Sequence, residues 1–162
     1  MLKISHLTKI FFKGTPNENV ALRDINLEVA SGDFITIIGS NGAGKTTLLN
    51  LISGVYLPDK GKIEINGKNV SNLPEHKRAK FIGRVFQDPL QGTASSLTIE
   101  ENLAIASLKG QKKRLRFAVT RKKREEFKEK LRALGLGLEN RLQERVGPVS
   151  YTHLTLPTIC SV

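Results

Sequence analysis

The chain of 162 residues contains no tryptophan, one methionine, two tyrosines and a single cysteine. One cysteine, Cys160, excludes an internal disulfide and fits a reducing cytoplasm. No apolar run approaches the roughly 20 residues needed to cross a bilayer. Met1 to Ser5 shows no basic stretch leading into an apolar one, which argues against secretion. Carboxylates are scarce too: 15 Asp and Glu stand against 26 Lys and Arg, a formal charge of +11. After Glu144 there is no carboxylate, and after Arg145 no charge of either sign. No Asn-Lys-x-Asp tetrapeptide occurs, so no guanine-reading motif of a GTPase lies within these residues.

The positive charge is concentrated. From Lys109 to Arg132 twelve Lys and Arg face three Glu, a local charge of +9. Such a block suits phosphate backbones or anionic headgroups, and it equally suits a solvated helix face. Phe127, Leu131 and Leu134 recur at helical spacing and give that helix a face to bury, which favours the second reading. Aromatic residues are nearly absent from the block, so it offers no stacking platform for single-stranded nucleic acid.

The remaining pattern is that of an α/β chain. Leu2 to Leu7 predicts a short strand. Val20 to Val29 predicts a longer one, with Ile25, Leu27 and Val29 alternating with polar neighbours. Phe34 to Ile38 is a nearly continuous apolar run, as in a parallel strand covered on both faces. Leu48, Leu49, Leu51 and Ile52 predict an apolar helical stripe that Gly54 can close. Lys62 to Ile65 predicts a strand ending in the tight-turn pair Asn66-Gly67. Pro74 suits the start of a short helix, and Gly83 to Gln87 predicts another strand. Thr98 and Glu101 have the spacing of a capping box at the head of a further helix, and the basic helix is expected at about 120–134.

One stretch carries chemistry. Gly39, Ser40, Asn41, Gly42, Ala43, Gly44, Lys45, Thr46 and Thr47 fit the pattern G-x-x-x-x-G-K-[ST], between a predicted buried strand and a predicted helix. The glycines let the backbone turn tightly and approach a polyphosphate with no Cβ in the way. Successive N–H groups then form a nest for anions, and the helix N-terminus adds roughly half a positive charge. Lys45 supplies a full charge to the β- and γ-phosphates, and the Thr46 hydroxyl is placed to ligate Mg²⁺. The site therefore predicts binding of ATP or a related nucleotide.

Several stretches, in this order, resemble the ATP-binding subunit of an ABC transporter. Gly39 to Leu49 resembles its Walker A sequence, and Ala21 to Leu27 with Gly32-Asp33-Phe34 resembles the approach to it. Leu57 to Ile63 and Ile65-Asn66-Gly67 resemble the segment beyond the P-loop helix. Phe86-Gln87-Asp88-Pro89 resembles the Q-loop, and Leu97 to Leu103 resembles the start of the helical subdomain. The resemblance covers about residues 1–147. It implies an α/β P-loop NTPase fold of ABC type, with an N-terminal antiparallel β-subdomain, a partial parallel core sheet and a helical subdomain at about 98–140. It further implies that Phe11, with Phe12 as neighbouring candidate, stacks on adenine, and that Gln87 joins Thr46 at Mg²⁺. The implied partners are a transmembrane permease, a second ATP-binding subunit and an extracytoplasmic solute-binding protein, with no direct nucleic-acid partner. The implied location is the cytoplasmic face of the cell membrane, and the version of the loop is similar to that of prokaryotic importers of amino acids or similar small solutes. The reading from another class is a soluble P-loop protein acting on nucleic acid through the basic block.

The chain departs from the family where catalysis would begin. An LSGGQ-type signature, a Walker B strand ending in Asp and Glu, and a switch histidine are all missing from the sequence, and His153 does not match the switch motif. Residues 148–162 resemble a translated sequencing adapter. The expectation is a truncated ATPase domain with a non-native tail, able to hold ATP and Mg²⁺ but unable to hydrolyse, and so with no catalytic residue of its own.

Overall fold

The computed structural model describes residues 1–86, 88–109 and 119–147. The chain divides into two compact units, Met1–Gly83 and a second that begins at Arg84. The tail expected from Pro148 lies outside the described residues.

The first unit is built on an antiparallel sheet. Its strands are β1 (Leu2–Phe11), β2 (Asn19–Val29), β3 (Lys60–Ile65) and β4 (Lys68–Asn69), in the order β2-β1-β3-β4. Leu2 pairs with Val29 on one side and Ile65 on the other, and Ile4 with Leu27 and Ile63. One face of this sheet and the helix α1 (Lys45–Ser53) share a core of Ile4, Leu7, Leu22, Leu48, Leu51, Ile63, Ile65 and Val70. Each such side chain, once buried, contributes about 1.5–3 kcal/mol. Within α1, Leu48 and Leu51 point inward while Leu49 is 52% exposed, so the predicted stripe is narrower than its sequence suggests. Gly54 closes α1 in the left-handed conformation, φ 88°. Asn66 (φ 49°) and Gly67 (φ 73°) make the tight turn between β3 and β4.

Strand β1 runs to Phe11, four residues past the predicted end. The pairing with β2 slips between Ile4 and Leu7, where His6 and Asp24 both take positive φ, 51° and 50°. This bulge breaks the period-two pattern that would have announced the longer strand. It is held by His6 Nδ1 on Asp24 Oδ1 (2.7 Å), His6 N–H donating to Asn26 Oδ1 (2.8 Å) and Asp24 N–H donating to Thr8 Oγ1 (3.2 Å). Gly61 of β3 lies opposite, with φ 91°. A Cβ there would stand 2.4 Å from the His6 carbonyl oxygen, so the bulge requires glycine at that position.

The predicted parallel core sheet does not form among the described residues, where every ladder is antiparallel. Residues 34–38 join no ladder, and Phe34 and Ile38 are 89% and 90% exposed. The strand expected at 83–87 is likewise absent over 83–86. A parallel strand takes its hydrogen bonds from neighbours brought back by crossover connections, and no such neighbour is present among the described residues. The short helix α2 (Glu75–Arg78) follows Pro74, which sits at the cap rather than inside the first turn.

In the second unit α3 (Ile99–Ser107) starts at Thr98 with the expected reciprocal box. The Thr98 hydroxyl accepts from Glu101 N–H, and the Glu101 carboxylate accepts from Thr98 N–H (2.8 Å). The Thr98 N–H first, and then the Thr98 hydroxyl donating to the same carboxylate (2.9 Å), hold the Glu101 carboxyl below the usual carboxylate range. Helix α4 (Arg121–Arg132) buries Phe127 and Leu131 against Ile99, Ala104 and Leu142. Leu134 lies past the helix end and is 59% exposed, so it does not extend the buried face. Arg124 grips the nearly buried Glu100 with two bonds, 2.7 and 3.0 Å. Lys128 pairs with Glu125 and Lys130 with Glu126 along the outer face. No helix among the described residues is long and apolar enough to cross a membrane.

Candidate nucleotide site

The phosphate loop leaves residues 34–38 and turns into α1. Gly42 and Gly44 have φ 85° and 86°, a region that L side chains rarely adopt. Gly44 is the N-cap of α1 and offers no side-chain cap. The first helical bond runs from Leu48 N–H to Gly44 O (2.9 Å), so the N–H groups of Lys45, Thr46 and Thr47 precede the ladder. Such groups are the unsatisfied donors of a helix start, and with the helix dipole they favour an anion.

Lys45 folds back over its own loop. Its ammonium donates to the carbonyl oxygens of Gly39 and Ser40, each at 2.7 Å. An ammonium has three donors, so one remains for an incoming anion. The loop thus fixes the position of the charge before any ligand arrives.

A cleft of about 360 Å³ opens over the loop. That volume falls in the range of roughly 300–1,000 Å³ for small-molecule sites. It is lined by Phe11 from the end of β1, by Asn19, Val20 and Ala21 from the start of β2, and by residues 41–47. Of the predicted site residues, Phe11, Asn41, Gly42, Ala43, Gly44, Lys45, Thr46 and Thr47 meet in this cleft. Gly39 and Ser40 serve it through the carbonyls that hold Lys45. Phe12 does not line it and is 69% exposed. Gln87 lies outside the described residues.

Asn19, Val20 and Ala21 escaped the sequence reading as site residues. The signal was present: the β1–β2 hairpin pairs Phe11 with Asn19 and Ile10 with Val20, so whatever stands beside Phe11 stands beside them. Phe11 itself is braced. Its ring meets Tyr56 edge to face, with centroids 5.3 Å apart, and the Lys9 ammonium lies 5.5 Å from its centroid. Asp59 secures the arrangement by accepting Ile10 N–H (2.8 Å) and pairing with Lys9 (3.1 Å). The bond from Ile10, joined by Lys9 and opposed by burial, holds the Asp59 carboxyl below its usual range.

This donor set fits a polyphosphate ester. A would-be Cβ on Gly42 meets nothing within 4 Å, so the loop leaves open space at that point where phosphate oxygens can approach main-chain N–H groups. The aromatic Phe11, the fixed cation of Lys45 and the hydroxyl-bearing Thr46 line the same cleft.

Comparison with known proteins gives the family. The sequence matches the family model described as ABC transporter over residues 22–157. It is 43% identical over 110 residues to the tyrosine transport ATP-binding protein of Clostridioides difficile, covering 68% of this chain and 44% of that protein. It is 36% identical over 156 residues to the ABC transporter ATP-binding protein YxdL of Bacillus subtilis, covering 93% of this chain and 55% of that one. The chain therefore spans about half the length of these relatives. A nucleotide-free ATP-binding cassette from an ABC transporter superposes with a TM-score of 0.67 at 26% identity, over 91% of this chain and 58% of that one. A dimeric cassette in a post-hydrolysis state with ADP and Pi superposes with a TM-score of 0.66 at 28% identity, over 90% and 61%. By these matches the chain belongs to the ABC transporter family and has the P-loop fold of its ATP-binding cassettes.

Proposed function

We propose that residues 1–147 are the nucleotide-holding part of an ABC transporter's ATP-binding subunit. The observation that carries this reading is the single cleft that joins the phosphate loop to the Phe11 ring. In it the loop N–H groups and Lys45 hold the β- and γ-phosphates, and Phe11 receives the adenine. Thr46 would ligate Mg²⁺, which supplies charge neutralisation at the phosphate oxygens. The protein's own contribution is positioning and fixed charge.

Hydrolysis in this reading needs residues that these 162 positions do not supply. The full activity belongs to two subunits that sandwich ATP and drive a permease from the cytoplasmic face of the membrane. The relative named for tyrosine transport supports an amino acid or a similar small solute as the cargo; import, with delivery by an extracytoplasmic binding protein, is the direction this proposal takes. The described part of the basic block supports a structural role for α4: Arg124, Lys128 and Lys130 are each paired with Glu and the helix seats Phe127 and Leu131 in a core. That weakens the nucleic-acid reading.

The test is equilibrium titration of ATP, AMP and adenosine into the chain and into Lys45→Ala. Loss of a charge-assisted contact worth about 1.5–3 kcal/mol predicts ATP affinity lower by about 10- to 150-fold, with adenosine unchanged. Equal affinity for ATP and adenosine in the unaltered chain would overturn the assignment.

A further inference from the structure

Helix α1 opens on the phosphate loop and closes on a buried cation. Arg78, the last residue of α2, is 0% exposed and is the largest fully buried side chain among the described residues. Its guanidinium donates only to main-chain carbonyls in the described contacts. Nε donates to Leu73 O (2.7 Å), Nη2 to Ser71 O (2.7 Å), and Nη1 to Leu51 O and to Ile52 O (3.1 Å).

Leu51 and Ile52 belong to the last turn of α1, whose carbonyls have no partner within the helix. The Asn50 carbonyl is taken by the N–H groups of Gly54 (3.0 Å) and Tyr56 (3.2 Å). The next two fall to Arg78. Ser71, the other anchor, is tied to the sheet: its hydroxyl accepts Ile63 N–H (2.9 Å) and donates to Asn69 Oδ1 (2.7 Å). Gly54 makes room for the guanidinium. A Cβ there would stand 2.8 Å from Arg78 Nε and 2.9 Å from its Cδ.

We propose that Arg78 is a positioning residue for the phosphate site, clamping the end of α1 to the sheet so that Lys45 and Thr46 are held in register with a bound polyphosphate. The proposal rests on the ATP-binding reading. Its physics is that of a short rod. A nine-residue helix is about 13.5 Å long and rigid at 1.5 Å per residue, so a shift at the clamped end is carried to the first turn. A positive charge at the C-terminal end also complements the helix dipole without competing for the anion at the other end. An arginine suits the task because its planar fork reaches several carbonyls at fixed angles, which an ammonium does not.

A purely structural arginine and a positioning one differ in what they move. The experiment titrates ATP and adenosine into the full chain, into Arg78→Met and Arg78→Lys, and into Ile4→Ala as a destabilised control in the same core. Temperatures are set equally far below each melting point. The expected result is ATP affinity about tenfold lower in Arg78→Met than in Ile4→Ala, an intermediate loss in Arg78→Lys, and no corresponding change for adenosine. Equal ATP affinities in Arg78→Met and Ile4→Ala would overturn the proposal. Linkage gives a second measurement on the unaltered chain that does not depend on any variant folding. If the clamp favours phosphate, phosphate must favour the clamp by the same factor, so saturating ATP should slow amide hydrogen exchange over residues 70–79. Unchanged exchange there, with ATP bound, also overturns the proposal. Failure of the unaltered chain to bind ATP strikes the functional reading instead.

Discussion

Gly42 and Gly44 have nearly the same backbone conformation and nearly the same place in the sequence, yet alanine should affect them very differently. At either position the new Cβ must adopt a left-handed conformation, at about 1–2 kcal/mol. A stiffer unfolded chain offsets about 0.4–1 kcal/mol of that. For Gly42 no further cost to folding follows, since its Cβ would meet nothing within 4 Å and would stand only in the space left open to a ligand. The net loss is about 1 kcal/mol, or roughly 2–4 °C in melting temperature for a chain of this size. For Gly44 the Cβ would stand 2.7 Å from the Ala21 carbonyl oxygen and 2.8 Å from Leu22 Cδ2. The oxygen belongs to the backbone of β2 and cannot rotate away, so strand or loop must shift, and overpacking of this kind costs a further 1–3 kcal/mol or so. The total is about 3 kcal/mol, or roughly 6–12 °C. Because the shift separates the loop from the Ala21 side of the cleft, ATP affinity should fall with stability in Gly44→Ala. Thermal melts followed by circular dichroism, with ATP titrations on the same samples, measure both. Equal destabilisation by the two alanines, or the greater loss at Gly42, would show that the contact between loop and β2 is not as described.

Three further outcomes are expected. Phe11→Ala should weaken ATP by the roughly 1–3 kcal/mol of a base–aromatic stack, whereas Phe12→Ala should leave the dissociation constant unchanged; isothermal titration of both variants decides between them. Thr98→Val should cost about 1 kcal/mol in a denaturant melt through loss of the N-cap of α3. Glu101, its reciprocal partner, has a folded-state pKa below the unfolded value. Its stabilisation is therefore fully present above the ordinary carboxylate range and is lost as pH falls through the lowered value. Melts at descending pH should show Glu101→Gln converging on the unaltered chain at the acid end, and a constant gap at all pH values would contradict that.

How much of the fold can be read in the sequence depends on how local each signal is. The Thr98–Glu101 box, the Asn66-Gly67 turn and the Gly54 cap each rest on residues within a few positions of one another, and each stands where expected. The end of β1 was hidden because the His6–Asp24 bulge depends on two residues 18 apart that adopt positive φ together. The apolar run at 34–38 describes a strand correctly in composition, but a strand exists only through a neighbour's hydrogen bonds, and no local pattern supplies one. The run joins no ladder and stays exposed, an unpaired apolar segment of the kind that invites pairing between molecules.

The site divides along the same line. The proposed phosphate end is contiguous in the chain, because a nest of N–H groups and a helix start can be made from one turn of backbone. Residues 41–47 could therefore be named from their order alone, and Lys45 and Thr46 took their roles from spacing. The proposed base end lies on β1 and β2, whose residues meet only through the register that sets Phe11 opposite Asn19. The brace behind Phe11 reaches farther still, to Tyr56 and Asp59 beyond α1. The clamp at the other end of that helix draws on Ser71, Leu73 and Arg78. Each step away from the phosphates thus recruits more distant sequence. The loop alone can mark a candidate nucleotide site, whereas the bracing of the Phe11 ring and of the helix end depends on contacts that only the folded chain brings together.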